Sequence, residues 1–417
     1  MFARIKPYIH KLLRKSEKYT KTDMRHIFKS SAWLVSSQFI SAITSLLFAV
    51  AVSYFLTKEA YGTYKYALSM AAAISIFSLP GVGAAIIKAV SSGKEGSLQQ
   101  GIKLRLKWGL IGIILGIVVG LYYLVQGNST LGIIFIIIGI TTPVSEALVS
   151  YLAFLNGKKE FRVIAISNIV SQLIGYTAII LVIFITNNPL YIVATYCFVW
   201  LTLRYALYLY TKNKYQLNQA VDSEMSRNSK HISVMEIANI AANHIDKLLL
   251  WHFTGAGAVA IYSIASAIPN QAVSVIKNVK IISQPSLVNT SEEVIAKSFV
   301  RRIIIIFITI NIIILGYYFL SPLLFTYLFP TYVDAIPYSQ ALIISSYGAL
   351  SYYVLAILEA KMKTHTLYKV TGLMYGTQIA LYIICIPLWG IWGAVIAKIT
   401  GQIFSGFVAF LSVYRKK

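Results

Sequence analysis

Residues 31–56, SAWLVSSQFISAITSLLFAVAVSYFL, contain no charged side chain. A helix of about 20 apolar residues can cross the hydrocarbon core of a bilayer, because every backbone amide is then satisfied within the segment. This stretch therefore predicts a membrane-spanning helix. Eleven similar stretches follow, at approximately 65–87, 108–126, 131–155, 163–186, 190–210, 231–253, 258–283, 302–320, 336–360, 367–387 and 389–413. The sequence predicts an all-α integral membrane protein with twelve transmembrane helices.

The composition of the whole chain supports the same class. Of the 417 residues, 57% are apolar and 12% are charged, whereas soluble domains average roughly 25% charged residues. A soluble globular protein is therefore excluded. The two cysteines, Cys197 and Cys385, lie within apolar runs and indicate neither a disulfide framework nor a zinc site. His244 and His252 have no third ligand at metal spacing, so we expect no metal and no cofactor.

Positive charge is concentrated in alternate loops. The chain has 37 Lys and Arg against 14 Asp and Glu, and 32 of the 37 lie on the side of the N-terminal tail. Because cytoplasmic loops carry this excess, we expect both termini to be cytoplasmic. Attraction to an anionic inner leaflet accounts for the net charge of +23 without a nucleic-acid partner. No cleaved signal peptide is expected in residues 1–30.

A weak internal repeat divides the chain. FLTKEAYGTYKYA at 55–67 recurs as FTGAGAVAIYSIA at 253–265, and AFLNGK at 153–158 recurs as AILEAK at 356–361, at offsets of 198 and 203 residues. Six spans separate the copies, so the two halves share one orientation and are related by an axis along the membrane normal. The expected units are a basic tail (1–30), two six-helix lobes (31–210 and 231–413), a cytoplasmic linker (211–230) and a second basic tail (414–417).

Polar side chains form stripes within three of the spans. In the seventh span the stripe covers an arc of about 100° at 100° per residue. A charge at the bilayer centre costs about 2.5 to 3.5 kcal/mol, so these side chains should face a watery cavity or one another. The alternative is that they only join neighbouring helices by hydrogen bonds. The stripes comprise Glu236, Asn239, Asn243, Asp246 and Lys247; Gln38, Ser41 and Ser45 in the first span; and Ser263, Ser266, Asn270, Ser274 and Lys277 in the eighth.

Three further charges lie inside predicted spans. Lys398 is near the middle of the twelfth span, which favours a place in a cavity, whereas Arg204 in the sixth can also reach the inner interface by snorkelling. Glu146 lies in the fourth span, after Pro143. Charges near the span ends are expected to be interfacial anchors, namely Lys65, Lys277, Lys280, Lys369 and Glu359. No phosphate-binding loop is present, which excludes ATP-driven transport within this chain.

Four short motifs accompany this layout: Tyr61-Gly-Thr-Tyr64, Asn156-Gly-Lys-Lys159, Asp246-Lys247 and Ala260-Ile-Tyr262. Together they resemble the O-antigen and polysaccharide flippases of the multidrug, oligosaccharidyl-lipid and polysaccharide exporter superfamily. The resemblance implies two lobes forming a V around a cationic central cavity. It also implies a non-enzymatic transporter that moves an undecaprenyl-pyrophosphate-linked oligosaccharide from the cytoplasmic to the periplasmic leaflet by alternating access.

The same resemblance assigns roles to residues. Pyrophosphate or an acidic sugar would meet Lys247, Arg204 and Lys398, and sugar hydroxyls would meet Asn239, Asn243, Asn270, Ser41 and Gln38. Asp246, Glu236 and Glu146 would serve as charge partners or in ion coupling. The candidate partners are the lipid bilayer, the lipid-linked substrate, and a polysaccharide polymerase with its chain-length regulator.

The sequence leaves two other functions open. A cation-coupled multidrug antiporter of the same superfamily would want unpaired carboxylates in its cavity, whereas Asp246 has a lysine beside it. A lipid II flippase usually has fourteen spans, two more than this chain has room for. An O-antigen polymerase is disfavoured, because it would need a large periplasmic loop and the loops on that side are short.

Overall fold

The computed structural model describes residues 24–274, 292–360 and 364–414, and within them the regular structure is helical, without a strand. The first half comprises α1 (Met24–Phe55), α2 (Lys58–Ser75), α3 (Val82–Ser91), α4 (Ser97–Val125), α5 (Ser129–Leu148), α6 (Ser150–Gly157), α7 (Phe161–Ile185) and α8 (Pro189–Tyr215). The second half comprises α9 (Met225–Thr254), α10 (Ala256–Ala265), α11 (267–274, up to the edge of the described range), α12 (Glu292–Leu328), α13 (Ile336–Leu342), α14 (Ala349–Ala360) and α15 (Thr364–Tyr414). Short 3-10 turns occupy Ile76–Ser78, Pro330–Ala335 and Ile343–Gly348.

Eight helical stretches are long and apolar enough to cross a membrane, and the bent pair α2–α3 makes a ninth. Two of the eight combine shorter elements, namely Ser129–Gly157 (α5 and α6) and Pro330–Leu358 (α13, α14 and their 3-10 turns). The twelfth helix predicted from the sequence appears as the second part of α15, which breaks at Gly390 (φ 55°, ψ −124°). Beyond this break the chain folds back on itself, because Gln378 Nε2 donates to the carbonyl of Ala397 at 3.1 Å. The predicted count of twelve fits this architecture once α9 and the α10–α11 pair are included. Their polar side chains and the break at Ser266 keep them outside the apolar set.

The connections between helices lie on two faces. Links 92–96, 158–160 and 216–224 contact one another through Glu95, which pairs with Lys158 and accepts from the backbone N–H of Asn218. We call this the basic face. The turns at 56–57, 127–128, 187–188 and 329–335 lie on the opposite face. There the side chains of Thr57, Asn128 and Asn188 accept from the first turns of α2, α5 and α8, at 3.2, 3.1 and 2.9 Å, which stabilises helices that follow such short turns.

Close helix packing holds the first half together. A methyl group on Gly116 of α4 would lie 2.3 Å from the Cα of Gly139 on α5. Small residues allow such close contact between backbones in membrane proteins, where van der Waals packing drives helix association. On the other side of this half, the hydroxyl of Ser37 on α1 donates to the carbonyl of Ala165 on α7 at 3.4 Å.

The two halves meet on both faces. On the opposite face, a Cβ at Gly62 of α2 would lie 1.9 Å from the carbonyl oxygen of Ala256 on α10. Nearby, the rings of Tyr66 and Trp251 stack at 4.3 Å with 6° between their planes. Toward the basic face, α9 of the second half packs on α3 of the first. The second half is therefore docked on the first along α2, α3 and α9.

The helices reproduce the register of the sequence repeat. Helix α2 begins at Lys58 and α10 begins at Ala256, 198 residues later, which is the offset of the first sequence echo. The paired tyrosines, Tyr64 and Tyr262, are both buried. The two halves thus bury this pair of equivalent tyrosines, while the exact lobe boundaries remain predictions.

The link between the halves is shorter than the predicted 211–230 segment, because α8 extends to Tyr215 and α9 begins at Met225. The remaining residues, 216–224, are fixed to the α3–α4 connection. Asn218 donates to the carbonyl of Gly93 at 2.8 Å and accepts from the backbone N–H of Glu95 at 3.0 Å. Asp222 pairs with Lys94 at 3.0 Å. The link therefore packs against the first half as a strap.

Candidate functional site

A cavity of about 390 Å³ lies between the two halves. Helices α1, α2, α7 and α8 line it from one side, and α9, α10 and α11 line it from the other. One lysine enters from each half, Lys65 from α2 and Lys247 from α9. Its aromatic wall comes from the first half and consists of Phe48, Tyr61, Tyr64, Tyr176, Tyr196 and Trp200; the polar wall of the second half consists of Ser263, Ser266, Asn270 and Gln271.

The sequence predicts an interfacial anchor at Lys65, and the structure corrects this prediction by placing the residue in the lining of the central cavity. Its ammonium group lies 5.3 Å from the ring centre of Tyr61 and 5.8 Å from that of Tyr64, within cation–π range. Helix α2 begins at Lys58, seven residues before the apolar stretch that marked the span. Lys65 therefore lies two turns inside the helix and not at its N-terminus. The sequence repeat contained a sign of this earlier helix start. In the copy at 253–265, helix α10 begins at Ala256, which is the equivalent of Lys58.

A second cavity, of about 270 Å³, extends from the first into the second half and shares Lys247 and Asn270 with it. Asp246 is 3% exposed. One of its carboxylate oxygens lies 3.2 Å from Lys247 Nζ and accepts from the Lys247 backbone N–H at 2.8 Å. Lys398 Nζ donates to Asn270 Oδ1 at 2.8 Å. The ring of Tyr262 lies 5.9 Å from each lysine, so two cations and one carboxylate surround this tyrosine.

The structure brings only part of the seventh-span stripe into this cavity. Asn243 lines it together with Asp246 and Lys247. Asn243 Nδ2 donates to Asn239 Oδ1 at 2.8 Å, and Asn239 Nδ2 donates to Glu236 at 3.3 Å. Asn239 and Glu236 continue the stripe along α9 toward the basic face, outside the lining of this cavity.

The first-span stripe faces α11. Gln38 Nε2 donates to Ser274 Oγ at 2.9 Å, and Gln271 Nε2 donates to Ser45 Oγ at 2.9 Å. Gln38 thus contacts the other half of the protein, while Ser41 is half-buried on the same helix and is not among the lining residues of these cavities. Lys277 and Lys280, which the sequence analysis placed at the end of the eighth span, lie outside the described residues.

A third cavity, of about 290 Å³, extends into the first half and shares Leu68, Tyr196 and Trp200 with the central one. Arg204 reaches it from α8 and donates to Ser145 Oγ at 2.8 Å and to Glu146 Oε1 at 3.1 Å. The other carboxylate oxygen of Glu146 lies 3.7 Å from Arg105. Arg105 also lies deeper than the sequence predicts, because it precedes the apolar stretch at 108–126. Helix α4 begins at Ser97, which carries Arg105 two turns into the bundle.

The three cavities together have a surplus of positive charge. Five basic side chains and two carboxylates border them or contact their lining: Lys65, Lys247, Lys398, Arg105, Arg204, Asp246 and Glu146. Such a site attracts an anion, and the surrounding hydroxyls, amides and aromatic rings suit a hydroxylated ring compound. Among the residues described, no cluster of three His, Cys, Asp or Glu side chains has the arrangement to hold a metal ion.

Comparisons with known proteins place this site in context. Residues 27–282 match the family model described as polysaccharide biosynthesis protein. A search of curated proteins found no match. A solved structure of the lipid II flippase MurJ in an inward closed conformation superposes with a TM-score of 0.70 at 15% identity, covering 91% of this chain and 87% of that chain.

Two MATE transporters have the same architecture. An inward-facing multidrug resistance MATE family transporter of the MOP superfamily gives a TM-score of 0.62 at 14% identity, covering 93% of this chain and 98% of that chain. A Vibrio cholerae MATE transporter gives 0.60 at 14% identity, covering 96% and 98%. At these identities the likeness shows the fold, and the family match covers more than half of the sequence. The chain therefore belongs to the polysaccharide biosynthesis protein family and has the fold of the MOP superfamily of membrane transporters.

Proposed function

We propose that this protein is a flippase that moves an undecaprenyl-pyrophosphate-linked oligosaccharide, an O-antigen or related repeat unit, from the cytoplasmic to the periplasmic leaflet of a bacterial inner membrane. The observation that carries the proposal is the central cavity, where Lys65 and Lys247 face one chamber from opposite halves. A chamber between two halves is the place where alternating access can expose a ligand to either side. The family match supplies the oligosaccharide part of the proposal.

Each part of the substrate has a chemically suitable partner in the cavities. The diphosphate would pair with Lys247, Lys398 and Lys65, with Arg204 as a further cation in the first half. Sugar hydroxyls would bond to Asn243 and Asn270, and to Asn239, Gln38 and Ser41 along the path toward the basic face. Aromatic side chains such as Tyr176 and Trp200 offer flat apolar surfaces to the sugar rings. Asp246 and Glu146, each beside a basic side chain, would weaken the hold on the diphosphate enough for release, and Glu236 is the remaining candidate for coupling.

In the proposed orientation the basic face is cytoplasmic and so are both termini. An inside-negative potential then favours outward movement of an anionic head group by about 2.3 kcal/mol per charge per 100 mV, if the charge crosses the whole field. Ion coupling is therefore not required for net export. A polysaccharide polymerase and its chain-length regulator are the partners expected to receive the product.

The likeness to multidrug transporters raises the alternative of a cation-coupled drug antiporter. The charge of the cavities favours the flippase, because a cationic drug would enter a chamber with more lysines and arginines than carboxylates. Export of lipid II is the other alternative. The match to the polysaccharide biosynthesis family favours a polysaccharide repeat unit over that substrate.

The deciding experiment uses the source bacterium without this gene. Undecaprenyl-linked oligosaccharides are quantified by mass spectrometry, and surface polysaccharide is measured in parallel. We expect single repeat units to accumulate in the inner leaflet and surface polysaccharide to be lost, with both restored by the gene. An unchanged lipid-linked pool together with altered tolerance to cationic drugs would instead indicate the antiporter. Accumulation of lipid II alone would indicate the other flippase.

A further inference from the structure

Arg105 joins the bent α2–α3 pair to α5 in the first half. It is 6% exposed and lies on α4, between the broken second span and the fourth. Its Nη2 approaches the carbonyl of Pro80 at 3.5 Å, in the α2–α3 break where the chain bends by 54°. Its Nη1 donates to the backbone carbonyl of Glu146, next to the α5–α6 junction. One guanidinium group therefore binds a carbonyl oxygen in the α2–α3 break and another near the end of α5.

These contacts have a physical reason. A broken helix frees carbonyl oxygens, and in hydrocarbon only the protein or enclosed water can satisfy them. The guanidinium group has five N–H donors in a rigid plane, so it can serve several carbonyls at once. The cost of burying its charge is offset by the Glu146 carboxylate at 3.7 Å. Arg105 thus stabilises a bent arrangement that the backbone alone would leave unsatisfied.

The same carboxylate also holds Arg204. Glu146 Oε1 lies 3.1 Å from Arg204 and Oε2 faces Arg105, so the position of Arg204 in its cavity depends on where Arg105 holds Glu146. On its far side the α2–α3 break contacts the second half, because Ser233 Oγ of α9 accepts from the backbone N–H of Gly81 at 3.0 Å. A continuous set of contacts therefore runs from Arg204 through Glu146 and Arg105 to the break and on to α9.

We propose that Arg105 is a positioning residue that couples anion binding at Arg204 to the bend between α2 and α3. The inference rests on the proposed function insofar as the anion is the diphosphate of the substrate. An anion that draws Arg204 away from Glu146 changes the charge around Arg105 and with it the hold on Pro80. Anion binding in the first half thereby changes the contact between the α2–α3 break and α9, the helix along which the two halves are docked.

A purely structural role would not need the guanidinium group to share a carboxylate with a cavity arginine. The sharing of Glu146 by Arg105 and Arg204 therefore favours a link between Arg105 and the cavity.

The test uses the purified full-length chain in nanodiscs, with inorganic pyrophosphate as the probe. The variants are Arg105→Lys, Arg105→Gln, Arg204→Lys and the double variant Arg105→Lys/Arg204→Lys, with Lys107→Met on the exposed face of α4 as the matched control. Pyrophosphate affinity is measured by calorimetry. Spin labels at Ser91→Cys on α3 and Lys212→Cys on α8 report whether pyrophosphate moves α3 past the break.

We expect Arg105→Lys to weaken pyrophosphate binding about tenfold and to abolish the pyrophosphate-dependent change in label distance, while Lys107→Met does neither. The losses from Arg105→Lys and Arg204→Lys should not add in the double variant, since they act through one carboxylate. If Arg105→Lys does not fold, Arg105→Gln, which keeps an N–H donor for Pro80, should fold and show the same losses.

Two results separate this inference from the proposed function. Normal affinity and normal label movement in the folded Arg105 variants, with weakened binding in Arg204→Lys, would overturn the role of Arg105 alone. Absence of pyrophosphate binding in the unmodified protein would count against the proposed diphosphate site and remove the inference with it.

Discussion

Lys58, in the first turn of α2, lies 2.7 Å from the carboxylate of Asp334, in the 3-10 turn that precedes α13. The contact joins the two halves on the opposite face. Beside it, Thr331 Oγ1 donates to the carbonyl of Ser53 at 2.7 Å. The ion pair is partly exposed, with 36% and 49% of the two side chains accessible, and such pairs contribute about 0 to 1 kcal/mol. Closure on this face thus includes weak polar contacts that can separate.

Tethering this pair should stop transport. If the opposite face opens during each cycle, a short bifunctional thiol reagent that bridges Lys58→Cys and Asp334→Cys should block export, and a cleavable reagent should allow recovery after reduction. Export of lipid-linked oligosaccharide is measured before and after reduction. Each single cysteine variant, treated in the same way, is the control. Undiminished export by the bridged protein would mean that this contact does not separate during the cycle.

Gly62 is expected to act as a contact point that tolerates no side chain. Because a methyl group there would lie 1.9 Å from the carbonyl of Ala256, Gly62→Ala should force α2 and α10 apart at a cost of about 1 to 3 kcal/mol. Gly316→Ala is the matched control, since its methyl group would meet none of the described atoms within 4 Å and should be neutral or stabilising. Thermal unfolding in detergent compares the two. Equal stability of both variants would contradict the close approach.

Lys247 is expected to be required for export. Lys247→Ala should abolish export, because it removes the cation shared by the central cavity and the second cavity, while Lys247→Arg should retain part of the activity. The alanine variant also leaves the buried Asp246 without this partner, so protein levels in the membrane are measured together with export. The double variant Asp246→Asn/Lys247→Met removes both charges and serves as the folding control. Full activity of Lys247→Ala would exclude Lys247 from the binding site.

Export should depend on Lys65 nearly as strongly as on Lys247. Loss of a charged contact of about 1.5 to 3 kcal/mol predicts that Lys65→Ala lowers export about 10- to 100-fold, with partial rescue by Lys65→Arg. Lys369→Ala, at an exposed position on α15, is the control and should leave export unchanged. If both alanine variants behave alike, the Lys65 ammonium group takes no part in binding the substrate.

The contacts of the strap predict a dependence of stability on acid pH. The hydrogen bond from Lys158 lowers the pKa of Glu95 from 4.5, and the one from Lys94 lowers the pKa of Asp222 from 3.8. A carboxyl group with a lowered pKa in the folded state stabilises the fold above its ordinary pKa, and this contribution is lost as the pH falls through the lowered value. The temperature of thermal unfolding should therefore fall as the pH drops below about 4.5. This fall should be smaller for Glu95→Gln, which lacks the titrating carboxyl group. Glu224→Gln, whose exposed carboxylate pairs with Arg227 one turn away, is the control.

Apolar stretches predicted the helices well but misplaced the charges at their ends. The rule for a span locates the segment that crosses hydrocarbon, and a helix continues beyond it wherever packing satisfies the side chains. Lys65, the first residue of a predicted span, and Arg105, three residues before another, lie seven and eight residues after the helix starts at Lys58 and Ser97. The apolar stretches therefore place both side chains at the end of a span, whereas the longer helices carry them into the bundle.

The candidate site was predictable to the extent that it lies on one helix. Helical periodicity placed Asn243, Asp246 and Lys247 on one face, and these residues do line one cavity. Contacts such as Lys398 with Asn270 depend on how α15 folds back at Gly390 and where α11 lies beside it. No local pattern carries that information, because the partners are separated by 128 residues and meet only through packing.

The strap at 216–224 constrains how the halves can move. Its backbone and side chains are bonded to the α3–α4 connection on both sides of Asn218 and Asp222, and the buried Met225 begins α9 against the first half. The segment predicted as a linker is therefore fixed to the first half, and rotation of one half against the other would begin at α9 and not within the link.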